Sequence, residues 1–252
     1  MSKPGHSDEQ LVKMSLVEHL SELRKRLIIV AVFFLATSSI SFQFVRKIAD
    51  ELMALGNGFR FVYLAPSELF MQYFYLSIIC GVVLTSPVIV YEIWRFICPG
   101  LKKQEKRAIC YALLCGFGFF AVGAVFAYYV MIPIMLQFFL NMSSGISIEP
   151  MISFANYVGF ISSTILTFGL VFEMPVVVMT LTRLGLLKPK WLTKNRGAAI
   201  LVIFVVAAII TPPDVVSQTL VAVPMVILYE LSVVLSKAIF VRRQNRQQQL
   251  EA

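Results

Sequence analysis

From Leu69 to Tyr91 the chain carries no charged side chain, and from Leu27 to Val45 it carries none either. A helix needs about 20 apolar residues to cross roughly 30 Å of hydrocarbon, and few other folds bury runs of that length. Only 14% of the residues are charged and 58% are hydrophobic. A soluble domain has about 25% charged residues. The sequence therefore predicts an all-α, polytopic membrane protein forming a single integral-membrane domain over residues 1–252.

Taken in order, Ser15 and Glu18 read as a capping box that opens an amphipathic helix over residues 15–26. Leu16, Leu20, Leu23 and Leu27 line one of its faces, while Glu18, Glu22, Arg24, Lys25 and Arg26 lie off that line. Six spans are expected, at about 27–45, 69–96, 108–132, 157–181, 197–211 and 215–235, followed by a basic tail at 237–252. The segment from Arg46 to Glu68 holds Gly56, Gly58 and Pro66 and reads as an ordered loop. Asn141 to Asn156 is a less hydrophobic connection. Pro87 predicts a kink in the second span, because proline removes a backbone hydrogen bond.

Basic residues gather at the N-terminus, around Lys102–Arg107, from Arg183 to Arg196, and beyond Lys237. Arg46, Lys47 and Arg60 are the cations on the opposite side. The positive-inside rule then places both termini in the cytoplasm. The second span ends in Tyr91, Trp94 and Phe96 beside Glu92 and Arg95, as a helix does on entering the headgroup layer. Pro99-Gly100 stops it.

Four groups of polar residues are candidates for function. Glu105 is a lone acid among Lys102, Lys103, Lys106 and Arg107: a solvated ion-pair partner, or a reader of something cationic. Glu22 is a second acid among cations on the same side of the membrane, and two such carboxylates suit a pair of guanidiniums bound through bidentate forks. Glu173 lies inside a span, where an acid costs about 2.5–3.5 kcal/mol and faces a partner or a cavity. Thr211 and Gln218 flank the TPPD turn, as turn chemistry or as groups that bond another helix. Glu230 suits a position near the membrane boundary. Cys80, Cys98, Cys110 and Cys115 lack metal-ligand spacing, and the histidines, His6 and His19, are both near the N-terminus. That pattern argues against a histidine-based catalytic or metal site within the membrane. A small-solute transporter using Glu173 would carry an internal repeat, and none is visible.

Six stretches together resemble the TatC family, the core receptors of the twin-arginine protein translocase. They are HLSELRKRL (19–27), PSELF (66–70), SPVIVYEIWRFICPGLKKQEKR (86–107), FGLVFEMP (168–175), TPPDVVSQ (211–218) and LYEL (228–231). The resemblance implies a glove-like six-helix bundle in the bacterial inner membrane, with no enzymatic activity and no cofactor. It implies that Glu22 and Glu105, supported by Arg24 and Phe96, bind twin-arginine signal peptides of folded cargo. Glu173 would be an intramembrane polar site on the concave face. Thr211 and Gln218 would lie where single-span TatA-type and TatB-type subunits dock. The implied partners are those subunits, the signal peptides, membrane lipids and further copies of the chain, but no nucleic acid. Transport would be driven by the proton motive force.

Overall fold

The computed structural model describes residues 16–97, 103–143, 150–211 and 214–251, without the side chains of 16–19, 94, 97, 103–114, 143 and 245–251. Ser15, the Glu18 side chain, the Pro99-Gly100 stop, Cys98, Lys102, the middle of the 141–156 connection and both TPPD prolines fall outside those residues, as do the side chains of Trp94, Lys103, Glu105, Lys106, Arg107 and Cys110.

Nine α-helices dominate the described residues. Helix α1 (Leu16–Leu55) is a single helix that joins the expected amphipathic segment to the first span and continues beyond it. The segment from Arg46 to Glu68, expected as a loop, is helical in its first part, as far as Leu55. Val45, Ala49 and Leu52 are buried at i, i+4 and i+7, so one apolar stripe carries the helix on while the charges occupy its other face. Gly58, at φ 110°, turns the chain into the short strand β1 (Arg60–Val62). Helix α2 (Pro66–Ile97) follows.

Helix α3 (Lys103–Phe126), a π-helical turn (Ala127–Met131) and α4 (Ile132–Ser143) run on without a gap. Pro133 deprives the Tyr129 carbonyl of its usual partner, and the wider π turn absorbs that mismatch. Strand β2 (Met151–Ser153) pairs parallel with β1, Phe61 opposite Ile152. Helices α5 (Phe154–Phe172) and α6 (Met174–Leu184) are separated only at Glu173. Gly185, at φ 82°, caps α6: its N–H donates to Thr182 O, and the Leu186 N–H donates to Leu181 O. The short α7 (Pro189–Lys194) leads to α8 (Arg196–Ile210) and then α9 (Val215–Glu251).

Among the described residues, five helical stretches are long and apolar enough to cross a membrane: 20–55, 66–93, 115–142, 154–184 and 215–244. The fifth expected span corresponds to α8, which has 15 residues and reaches about 22 Å at 1.5 Å per residue. That is short of a full bilayer core, so the count of six is not reached by length alone.

The packing is that of a protein whose solvent is lipid. Large apolar side chains face outward, among them Leu35 at 63%, Leu201 at 65% and Ile209 at 79% exposure. Small hydroxyl residues lie inside: Ser41, Ser77, Thr85, Thr164, Thr182, Ser232 and Ser236 are all buried. Helices in lipid associate through close packing and interhelical hydrogen bonds rather than through hydrophobic exclusion from water. Thr37 Oγ1 of α1 lies 2.8 Å from Thr85 Oγ1 of α2 and donates to Gly81 O. Thr182 and Ser236 make the same kind of contact, at 2.7 Å, between α6 and α9. Pro87 sits inside α2 without breaking it. Ser86 Oγ donates to the Val83 carbonyl, the one that the proline leaves without its N–H.

Two apolar cores result. One unites α1, α2, α4 and α5 around Ala49, Leu76, Ile132 and Ile161; the other unites α5, α6, α8 and α9 with the π turn around Phe168, Ala207 and Val221. Helix α5 belongs to both, and α4 contributes Ile132 to the first and Met135 to the second. Tyr157 of α5 ties the first core together, donating to Leu52 O and meeting the Phe61 ring edge-on.

Glu68, within the PSELF stretch, holds the β1–β2 end of the bundle. One carboxylate oxygen accepts from the Leu64 N–H at 2.7 Å and the other from Ser153 Oγ at 2.8 Å. Glu68→Ala removes both contacts and is expected to cost about 1–3 kcal/mol. A lower thermal unfolding midpoint in detergent, with Glu68→Gln nearer the parent, is the check.

Candidate functional site

The carboxylates that sequence reasoning singled out occupy different places. Glu22 lies near the start of α1, one turn before Arg26, in the (i, i+4) relation that brings side chains together on a helix. The Arg26 guanidinium pairs through Nη2 with Glu22 Oε1 and through Nη1 with Glu92 Oε2 of α2, the latter at 3.0 Å. Arg26 is 9% exposed and Glu92 5%, so a cation and an anion are buried together where α1 meets the end of α2. Removing one member of such a pair leaves a buried charge and costs about 3–5 kcal/mol. Sequence reasoning named Arg26 among the cations of α1 and Glu92 at the end of the second span, but not as partners. The spacing of Glu22 and Arg26 was legible, but the reach across 66 residues to Glu92 was not.

Among the described residues, two atoms of this network have no hydrogen-bond partner: Glu22 Oε2, an acceptor, and Arg26 Nε, a donor. Both are buried, and a buried polar atom left unpaired is costly and calls for an explanation. Arg24 and Arg95 are exposed nearby in sequence, on α1 and α2. Phe96 is half-buried in the last turn of α2. Glu105 belongs to the first turns of α3, and the position of its side chain relative to Glu22 lies outside the described residues.

Glu173 stands at the break between α5 and α6. Its N–H donates to Leu170 O, its carbonyl accepts from the Val177 N–H, and Pro175 opens α6 two residues later. The carboxylate lies over Gly116 of α3: a Cβ built on that glycine would come within 2.8 Å of Glu173 Oε2. Glu173 Oε1 is buried without a partner among the described residues. Glycine thus leaves the room in which an intramembrane acid sits.

Thr211 and Gln218 both bond α8. Thr211 Oγ1 donates to Ala207 O at 3.0 Å, one turn back along α8. Gln218 Nε2 donates to Phe204 O at 3.0 Å and ties α9 to α8. Asp214 caps α9, accepting from the Ser217 N–H at 2.7 Å and from Ser217 Oγ. Partial burial pushes the Asp214 carboxyl upward, but the hydrogen bonds from Ser217 and from the Val216 N–H outweigh it and hold the acid below its ordinary range. Because the folded-state value is lowered, this cap stabilises fully above the unfolded value and is lost as pH falls through the folded one. Glu230 pairs with Arg196 at 2.8 Å, both side chains exposed at the start of α8 and along α9.

Comparison with known proteins identifies the arrangement. Residues 18–224 match the family model of the Sec-independent protein translocase protein (TatC). The chain belongs to the TatC family. A TatC from Desulforapulum autotrophicum is 40% identical over 227 residues, covering 88% of this chain and 84% of the relative. TatCy of Bacillus subtilis is 38% identical over 240 residues, covering 92% of each. A crystal structure of the twin-arginine translocase receptor TatC superposes with a TM-score of 0.80 at 37% identity, covering 88% of this chain and 99% of that one. The resemblance read from the motifs is thereby shown, as is a polytopic helical membrane protein of a protein-translocase family. The TatC match spans α1, which holds Glu22, through the first ten residues of α9, which include Gln218.

Proposed function

We propose that this TatC-family chain is the receptor of a twin-arginine translocase, binding the signal peptides of folded cargo at its cytoplasmic face. The observation that carries the reading is the Glu22 carboxylate. It is held in place by a buried guanidinium and, among the described residues, keeps one oxygen, Oε2, without a partner. An arginine side chain supplies the missing donors in a fixed planar fork, which lysine lacks. Glu105 supplies the second carboxylate, and Arg24 and Phe96 belong to the surrounding surface.

Both termini lie in the cytoplasm and the bundle sits in the inner membrane of a bacterium; the basic segments at 24–26, 102–107, 183–196 and 237–246 support that orientation. The peptide's apolar segment inserts along the bundle. Single-span TatA-type and TatB-type subunits dock near Thr211 and Gln218, where α8 is short. Glu173 serves as the intramembrane polar site, and further copies of the chain join the complex. The work is recognition and assembly powered by the proton motive force, with no chemical step catalysed.

The test is complementation. Expressed as the sole TatC in a bacterium lacking its own, together with its partner subunits, the chain is expected to restore export of a folded reporter with an Arg-Arg signal. It should leave the Lys-Lys version in the cytoplasm. Export of both alike, or of neither with the complex assembled, would contradict the receptor reading.

A further inference from the structure

The Arg26 guanidinium is already bound to the carboxylate that the receptor reading assigns to a signal-peptide arginine. This inference rests on that reading. Arg26 is shared: one nitrogen serves Glu22 of its own helix and the other Glu92 of α2. The sharing is incomplete on both sides, since Glu22 Oε2 and Arg26 Nε lack partners among the described residues. We infer that Arg26 is a specificity-determining residue, an internal competitor for the peptide's guanidinium, and that Glu92 holds its charge while the peptide takes its place on Glu22.

The physical logic lies in what can displace a buried guanidinium from a carboxylate. The incoming cation has to match the geometry that it replaces. A second guanidinium does so through its fork, whereas an ammonium is a compact point charge with no fixed plane. Its stronger hydration also makes it dearer to strip of water at a partly buried site. With Arg26 in place, only an arginine side chain exchanges with it, and the resident cation rejects lysine. Glu92 is what makes the exchange feasible. Without it, Arg26 displaced from Glu22 would be left buried and unpaired; with it, the displaced cation keeps one anion. Unlike Glu22, Glu92 needs no contact with the peptide for this role.

Opposite effects are expected from two variants of the full chain in nanodiscs, probed with synthetic signal peptides carrying Arg-Arg or Lys-Lys before an apolar segment. Replacing the internal pair with apolar side chains of similar length, Arg26→Met with Glu92→Met, leaves Glu22 free of its competitor. The Arg-Arg peptide should then bind about tenfold tighter, the Lys-Lys peptide should gain more, and the preference for arginine should shrink. Adding Glu22→Gln to that pair should erase both gains. Glu92→Gln alone, which preserves shape and polarity, removes the place where Arg26's charge is held and should weaken Arg-Arg binding several-fold. It also gives an independent reading should the double variant fold poorly.

If Arg26 and Glu92 only brace α1 against α2, both variants weaken binding of the two peptides equally and the Arg-to-Lys ratio stays constant; that result overturns the inference. Glu22→Gln in the otherwise unchanged chain separates the two levels. Undiminished peptide binding there would remove the receptor reading and the inference together. Lost binding there, with an unchanged ratio in the double variant, would remove the inference alone.

Discussion

Glu22→Ala and Glu105→Ala should each reduce twin-arginine-dependent export to near background while the protein stays inserted and folded. A charge-assisted hydrogen bond contributes about 1.5–3 kcal/mol, which corresponds to roughly ten- to a hundredfold in affinity for each lost carboxylate. The two alanine variants need not behave alike. Glu22 is tied to Arg26, so Glu22→Ala also leaves the Arg26 guanidinium with Glu92 as its remaining anion. Some of its effect will therefore register as destabilisation, and Glu22→Gln is the cleaner probe. Membrane-fraction immunoblots and unfolding midpoints separate the two causes. Normal export in Glu105→Ala, alone and combined with Glu22→Ala, would remove both residues from the recognition site.

The second large effect is expected far from that site. A Cβ placed on Gly123 of α3 would lie 2.5 Å from the Phe168 backbone oxygen and 2.8 Å from Phe172 Cβ of α5. Backbone cannot swing aside as a side-chain tip can, so Gly123→Ala forces the two helices apart. Overpacking of this kind costs about 1–3 kcal/mol and here should reach the upper end, lowering the unfolding midpoint by roughly 5–10 °C. Gly118 on the same helix is the control. Among the described residues, nothing lies within 4 Å of its virtual Cβ, so Gly118→Ala makes the same chemical change and should be neutral or slightly stabilising. Equal midpoints for the two alanine variants would mean that α3 and α5 are not packed as described. Gly116 falls between these cases, because the group facing it is the movable carboxylate of Glu173.

What was legible in the sequence follows from which forces are local. Charge-free windows announce spans, because the cost of burying charge in hydrocarbon is paid residue by residue. Helix ends were less legible. The polar segment from Arg46 to Glu68 read as a loop, whereas burial of Val45, Ala49 and Leu52 keeps α1 helical as far as Leu55. The Pro133 region read as the end of a span, whereas a π turn carries the helix past it to Ser143. Of the candidate site, Glu22 was visible as an acid among cations, and its bond to Arg26 is an ordinary (i, i+4) relation. Glu92 was not visible as a partner, because its role exists only once α1 and α2 pack together. Glu68 was quoted within a motif but its two hydrogen bonds join segments that lie 85 residues apart at the Ser153 contact. Gln218 was seen as a polar group able to bond another helix, and it bonds the backbone of α8.

The receptor account is tested most directly by equilibrium binding of a twin-arginine signal peptide to the purified chain in nanodiscs, against the same peptide with both arginines replaced by lysine. Lysine keeps the charge and loses the fork. The account predicts at least about tenfold preference for arginine, equivalent to roughly 1.4 kcal/mol, and loss of that preference in Glu22→Gln. Equal binding of the two peptides, repeated with TatA-type and TatB-type subunits present, would contradict it.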